Sequence, residues 1–172
     1  VGRYITLTAT DSTFDMYSDS FRERAEVIAK AIGELCGGCE RFLAVGLGNY
    51  ALTSDAVGPL TAEKIFATRH IKSLAKEIDT DDLGEVTVIQ TGVLGNTGIE
   101  SSEQVKAIAE RVTPQAIIAV DALACSELSN LGRTIQLCNT GISPGSGVEN
   151  ARKELSLSTL GVKCIAIGVP TV

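Results

Sequence analysis

The stretch RFLAVGLGNYALTSDAVGP, residues 41–59, decides the fold. It opens with a short run that is apolar on both faces, as is typical of a strand buried in a parallel sheet. A glycine-rich turn follows, and Gly58–Pro59 then begins a helix, because proline suits the first helical turn. This order of strand, turn and helix predicts an α/β fold, with one acidic residue, Asp55, inside the turn.

Length and composition bound the class of protein. The chain has 172 residues, 44% of them hydrophobic and 21% charged, which suits a single globular domain over residues 1–172. Its 17 glycines and 4% aromatic residues fit an α/β protein with tight loops. The chain starts at Val1 and stops at IGVPTV, in the middle of an element, so we interpret it as a processed form or a fragment that lacks a C-terminal part.

Charge and cysteine usage exclude several classes of partner. The net charge is −6 and no Lys/Arg cluster can follow a phosphate backbone, so we expect no nucleic-acid partner. No run approaches the ~20 apolar residues of a membrane span, and no secretory segment is visible. An odd number of cysteines, five, predicts reduced thiols and a cytoplasmic location.

The pair of cysteines in CGGC, residues 36–39, resembles half of a redox or zinc site. A zinc site needs a second pair or nearby histidines, which the sequence lacks. A redox pair should open a helix, whereas this one closes a helix. We therefore interpret Gly37 or Gly38 as a helix C-cap.

Hydrophobic periodicity extends the pattern along the chain. The predicted helices are 19–35, a long helix over 58–74, and 99–113; the predicted strands are an edge strand from Tyr4, then 41–48, 85–91, 116–120, 133–141 and 162–170. This order predicts a three-layer fold, phosphorylase- or hydrolase-like, with a mostly parallel central sheet and helices on both faces. We expect every glycine-rich loop, TGISPGSG (140–147) included, at the carboxyl edge of the sheet, where such folds bind ligands.

Familiar catalytic motifs do not explain these loops. GLGNYA lacks a helix that begins at once, and no acid for a ribose follows the next strand, which argues against a dinucleotide site. No Gly-Lys-Ser/Thr motif is present. The single histidine, His70, lies in a predicted helix and no G-x-S-x-G occurs, which argues against serine or cysteine nucleophiles.

After these motifs, a pair of carboxylates is the remaining candidate for a catalytic site. Asp55 and Asp121 each follow a predicted buried strand at the same edge, so their side chains can approach each other. Two such carboxylates have their pKa values pushed apart and can together activate water and protonate a leaving amine. The same pair can instead hold a divalent metal. The alternative interpretation of Asp55 is a helix N-cap.

Three long segments, 45–71, 92–124 and 139–172, resemble the germination protease of spore-forming bacteria, peptidase family A25. The resemblance covers residues 42–172, with a weaker similarity in YITLTA. It implies an endopeptidase that degrades small acid-soluble spore proteins during germination in the spore core. It further implies a zymogen, a homotetramer in full-length form, and catalytic aspartates matching Asp55 and Asp121.

The chemistry of an Asp pair also calls for supporting residues. Backbone N–H groups of Gly95 and Asn96, or of Gly145 and Gly147 in the PGSG loop, would stabilise an oxyanion, and Asn49 would orient a carboxylate.

A more distant similarity connects the chain to hydrogenase maturation endopeptidases, in which two acids and a histidine bind nickel. It leaves a metal-dependent endopeptidase as the alternative function, with Asp55 and Asp121 as ligands and His70 poorly placed to join them. An inactive fragment or a binding module is the non-enzyme alternative.

Overall fold

The computed structural model describes residues 2–10, 17, 19–74, 80, 82–125, 127–144 and 153–171. Its strands are β1 (Tyr4–Thr8), β2 (Arg41–Leu47), β3 (Glu85–Gly92), β4 (Ala116–Leu123), β5 (Thr134–Cys138) and β6 (Lys163–Pro170). Its helices are α1 (Phe21–Cys36), α2 (Val57–Lys64), α3 (Arg69–Leu74), α4 (Leu94–Thr97), α5 (Ser101–Val112) and α6 (Leu157–Leu160), with 3-10 turns at Thr53–Asp55 and Leu128–Asn130.

The six strands form one sheet in the order β1-β5-β6-β4-β2-β3. Strands β3, β2, β4 and β6 are parallel to one another. Strand β5 runs antiparallel to both of its neighbours, β6 and β1. The predicted α/β class with a mostly parallel central sheet is confirmed, and β1 is the edge strand that the sequence predicted.

Helices cover both faces of this sheet, which confirms the three-layer arrangement. On one face α5 contributes Val105 and Ala109 to a core cluster with Leu43, Val45 and Ile117. On the other face α1 packs its own buried residues against β4, β5 and β6. Helix α2 lies on the α1 side, where its Gly58 approaches the strands so closely that a Cβ there would lie 2.1 Å from the Leu47 carbonyl oxygen.

The prediction of one long helix over 58–74 is wrong, because the structure divides this segment into α2 and α3. Ile65 has extended backbone angles and ends α2. Three residues later Thr68 binds the start of β3, since its N–H donates to the Val86 carbonyl (3.0 Å) and its hydroxyl accepts from the Val86 N–H (2.9 Å). The bond from the Thr68 N–H to the sheet replaces the helical bond that this N–H would otherwise make, while the Thr68 carbonyl accepts from Ile71 and Lys72 at the start of α3.

The direction of β5 overturns the prediction that every glycine-rich loop lies at the carboxyl edge. Because Gln136 pairs with Gly168 and Cys138 with Ala166, β5 ends near the middle of β6 and points toward the amino edge. The segment after β5 therefore leaves the sheet at the edge opposite the other loops. Gly145 and Gly147, the two predicted supporting glycines of that segment, lie outside the described residues.

Among the residues that the structure describes, no helix is long and apolar enough to span a membrane.

Candidate active site

Asp55 closes a compact turn at the carboxyl end of β2. The Asn49 N–H donates to the Asp55 carboxylate (2.8 Å) and also to the Asp55 main-chain carbonyl (3.1 Å). The side-chain oxygen of Asn49 in turn accepts from the Ala51 N–H (3.0 Å). Asn49 therefore holds the Asp55 carboxylate through its backbone, while its own side chain stabilises the turn.

Gly48 makes this close return of the chain feasible. Its φ of +111° lies in a region that L-residues rarely adopt. A Cβ at this position would lie 2.2 Å from the Asp55 carbonyl oxygen and 2.9 Å from its carboxylate Oδ1. Glycine is thus required both for the backbone conformation and for the space that Asp55 occupies.

The helix N-cap interpretation of Asp55 is wrong. The N-cap of α2 is Ala56, and no side chain makes a cap hydrogen bond there. The carboxylate instead binds the Asn49 N–H, on the strand side of the turn.

Asp121, the second candidate catalytic aspartate, is buried, with 6% of its surface exposed. It lies inside β4 opposite Gly168, whereas the sequence predicted a strand that ends before it. One carboxylate oxygen, Oδ1, accepts from the N–H of Ala122 (2.9 Å). The β-structure continues past Asp121 because β6 pairs with it as far as Pro170.

The two aspartates lie at the same edge of the sheet, Asp121 within β4 and Asp55 in the turn that follows the neighbouring strand β2. Strands β2 and β4 are paired up to Gly46 and Val120, one residue before Asp121. The turn that carries Asp55 is tied to the same strand ends by Thr171. Its N–H donates to the Leu123 carbonyl (3.0 Å) and its hydroxyl to the Ser54 carbonyl (2.5 Å).

The predicted oxyanion donors Gly95 and Asn96 lie in α4, directly after β3, at this same edge. The Asn96 N–H already donates to the Val93 carbonyl (2.9 Å), so it is not available as the predicted donor. The Gly95 contribution stays a prediction.

His70 lies at the opposite edge of the sheet. It follows Thr68, which binds Val86, and Arg69, which forms an ion pair with Glu85 (3.3 Å), at the amino end of β3. In the described part of the chain, no three His, Cys, Asp or Glu side chains are grouped so that they can hold a metal ion. Among the described residues, His70 is therefore not grouped with Asp55 and Asp121 as a three-ligand set.

The CGGC segment caps a helix, as predicted. Gly37 adopts the left-handed conformation and its N–H donates to the Gly33 carbonyl (3.0 Å). All five cysteines are free thiols. Burial raises the pKa of Cys36, the nearby Cys39 adds to this, and Lys163 opposes it. A raised pKa disfavours the thiolate, which is the nucleophilic form of cysteine.

A group of hydroxyls at the end of β3 and the start of α5 was not identified from the sequence. Thr91, Ser101 and Ser102 are all buried. The Thr91 hydroxyl donates to Ser101 (3.1 Å), but the Ser102 hydroxyl has no hydrogen-bond partner among the described residues. The sequence carries no signal for this unpaired hydroxyl, because serine at the start of a helix is ordinary.

Comparison with known structures identifies the class first. The chain shares its α/β fold with the crystal structure of a [NiFe] hydrogenase maturation protease, HycI, from Thermococcus kodakarensis KOD1. The TM-score is 0.50 at 20% identity, over 81% of this chain and 80% of the other, a similarity that describes the fold alone. The chain belongs to the germination protease family, peptidase A25, whose model matches residues 1–172.

Curated relatives agree with this assignment. A germination protease of Clostridium tetani (strain Massachusetts / E88) is 46% identical over 100% of this chain and 54% of its own length. One from Caldanaerobacter subterraneus subsp. tengcongensis is 45% identical, over 100% of this chain and 53% of its own. The whole of this chain is matched, but it spans only about half the length of these relatives.

Proposed function

We propose that the protein is an endopeptidase that degrades small acid-soluble spore proteins during germination, with Asp55 and Asp121 activating water. The observation that carries the proposal is their position: both carboxylates lie at the carboxyl end of neighbouring strands, in a chain of the germination protease family. The Thr171 bonds, which connect the Asp55 turn to the end of β4, support it further.

In the proposed mechanism the two aspartates share one proton around a water molecule. The ionised carboxylate takes a proton from the water as the water oxygen bonds to the peptide carbonyl carbon, and the carbonyl π pair moves onto its oxygen. The protonated carboxylic acid donates a hydrogen bond to that oxyanion. When the C–N bond breaks, the leaving nitrogen takes this acid's proton and the products are a carboxyl group and an amine.

The test compares Asp55→Asn and Asp121→Asn with the wild type in the full-length protein, with a purified small acid-soluble spore protein as substrate. Each variant should lose cleavage by at least about 100-fold, because an amide can neither take nor give the proton. Circular dichroism and urea unfolding serve as the controls for folding. Near-normal cleavage by either folded variant would refute the Asp-pair mechanism.

We propose that the reaction needs no metal, and the metal-dependent endopeptidase is the alternative. The metal-free mechanism is favoured because His70 lies at the edge of the sheet opposite the two aspartates. Incubation with EDTA, followed by removal of the chelator, should leave cleavage unchanged. Loss of activity that Ni²⁺ or Zn²⁺ restores would favour the alternative.

We further propose that the full-length protein is a zymogen and a homotetramer and acts in the cytoplasm of the spore core. These proposals rest on family membership. Light scattering of the full-length protein should give the mass of four chains, and a monomer would contradict it. Residues 1–172 alone should be assayed with the same spore protein, because a folded but inactive chain would support the fragment alternative.

A further inference from the structure

Ser102 is buried, with 7% of its surface exposed, at the start of α5. Its hydroxyl has no hydrogen-bond partner among the described residues. Buried hydroxyls in folded proteins are nearly always paired, because burying one without a partner is unfavourable. Within the described part of the chain the hydrogen bond of this hydroxyl is therefore left for a partner outside that part.

The position of Ser102 on α5 directs it toward the sheet. Ser102 precedes Val105 by three residues and Ala109 by seven, so the three share one helix face. Val105 and Ala109 are buried in the core cluster that includes Val45 and Leu47 of β2. Since α5 follows β3 and runs back toward the amino edge, Ser102 lies over the carboxyl ends of the strands.

Asp121 belongs to the same side of the sheet. Ile117 and Ala119 of β4 lie in the cluster that packs against α5. Side chains alternate along a strand, so Asp121, two residues beyond Ala119, faces that side as well. The buried hydroxyl of Ser102 and the buried carboxylate of Asp121 thus share one face and one edge of the sheet.

We propose that Ser102 is a further catalytic residue, whose hydroxyl donates a hydrogen bond to the peptide carbonyl oxygen as it becomes an oxyanion. This rests on the proposed function of Asp55 and Asp121. A substrate carbonyl supplies the partner that the hydroxyl lacks, and a fixed donor aimed at developing charge lowers the barrier. Ser102 forms no covalent bond, and its proton stays on the hydroxyl throughout.

Ser101 provides a matched control. It is equally buried, at 8% exposed, and adjacent in sequence, but its hydroxyl is paired with Thr91 (3.1 Å). In the full-length protein, Ser102→Ala should lower kcat on a spore-protein substrate about 100-fold with KM changed less than about threefold. Its urea midpoint should equal or exceed that of the wild type, because the substitution removes an unpaired polar group. Ser101→Ala should show the reverse: a lower midpoint and a kcat within about threefold of wild type.

The outcomes separate this inference from the proposed function. If Asp121→Asn is inactive while Ser102→Ala keeps the wild-type kcat, the role of Ser102 is overturned and the Asp pair stands. A Ser102→Ala protein with a lowered urea midpoint also overturns the inference, because the hydroxyl then has a structural partner. Cleavage retained by a folded Asp121→Asn protein overturns the proposed function and this inference with it.

Discussion

At the scale of single residues, Gly48 decides where the Asp55 carboxylate lies. We predict that Gly48→Ala lowers the free energy of unfolding by about 1–3 kcal/mol, since alanine is strained at a φ of +111° and its Cβ would lie 2.2 Å from the Asp55 carbonyl oxygen. Urea unfolding measures the stability. Cleavage by the full-length variant should fall as well, because Asp55 must move to make room.

Gly95→Ala is the control for that prediction. A Cβ at Gly95 meets no atom within 4 Å, and the residue lies in α4. Alanine should therefore leave stability unchanged or raise it by roughly 0.5–1 kcal/mol, because glycine is the poorer helix former. Equal losses of stability in the two variants would show that the close contact at Gly48 has no special effect.

Burial raises the pKa of Cys164 from 9.0 to about 12, with smaller contributions from Cys138 and Glu154. The folded protein thus holds this proton to higher pH than the unfolded chain does. The contribution to stability is fully present below pH 9 and is lost as pH rises from 9 to 12. We predict a loss of about 2 kcal/mol between pH 9 and roughly 10.5.

Measuring the free energy of unfolding by urea at several pH values tests this prediction. Cys164→Ala separates the effect of this thiol from that of the other groups in the chain. The variant should be less stable at every pH, because Cys164 lies in the core, but its stability should fall less steeply above pH 9. Parallel pH curves for the two proteins would contradict the assignment.

At the scale of elements, Thr68 determines where the helical segment after β2 is interrupted. Its hydroxyl donates to the Gly84 carbonyl (2.5 Å) and accepts from the Val86 N–H (2.9 Å). We predict that Thr68→Val destabilises the protein by about 1–3 kcal/mol, since it leaves two partly buried main-chain groups unpaired. Thr68→Ser, which keeps the hydroxyl, should lose about 1 kcal/mol or less. If Thr68→Val and Thr68→Ser had the same urea midpoint, the break between α2 and α3 would be assigned to the local sequence instead.

The same element shows the limit of sequence reasoning. Residues Ile65 to Thr68 continue a helical pattern, and the interruption depends on bonds to Gly84 and Val86, which are distant in sequence. Periodicity reports which faces are apolar, and therefore gave the strands and α1 and α5 correctly. It does not report strand direction, so it could not reveal that β5 runs antiparallel to β6.

The common edge of Asp55 and Asp121 was predictable for a related reason. Asp55 and Asp121 follow apolar strands, and parallel neighbouring strands bring their carboxyl ends to one edge. Ser102 was not predictable as a candidate, because serine at the start of a helix is ordinary. What distinguishes it is an unpaired hydroxyl in a buried environment, which only the packing of α5 reveals.

At the scale of the whole molecule, one sheet joins two cores. Ile117 and Ala119 belong to the cluster under α5, while Ala116 and Val120 of the same strand belong to the cluster under α1. Neither cluster can lose its packing without exposing β4, the strand that carries Asp121. The position of this aspartate therefore depends on both layers of helices at once.

We accordingly predict that residues 1–172 unfold in one cooperative transition. Val105→Ala, on the α5 side, and Leu35→Ala, on the α1 side, both truncate buried side chains. Each should lower the free energy of unfolding, by about 2–4 kcal/mol for the leucine and somewhat less for the smaller valine, and so lower the urea midpoint without changing the slope of the transition. Far-UV circular dichroism and native cysteine accessibility should report the same midpoint, since Cys164 lies in one cluster and Cys36 in the other. If Leu35→Ala exposed Cys36 at a urea concentration where Cys164 stayed protected, the two faces would be independent, and the shared strand would not couple them.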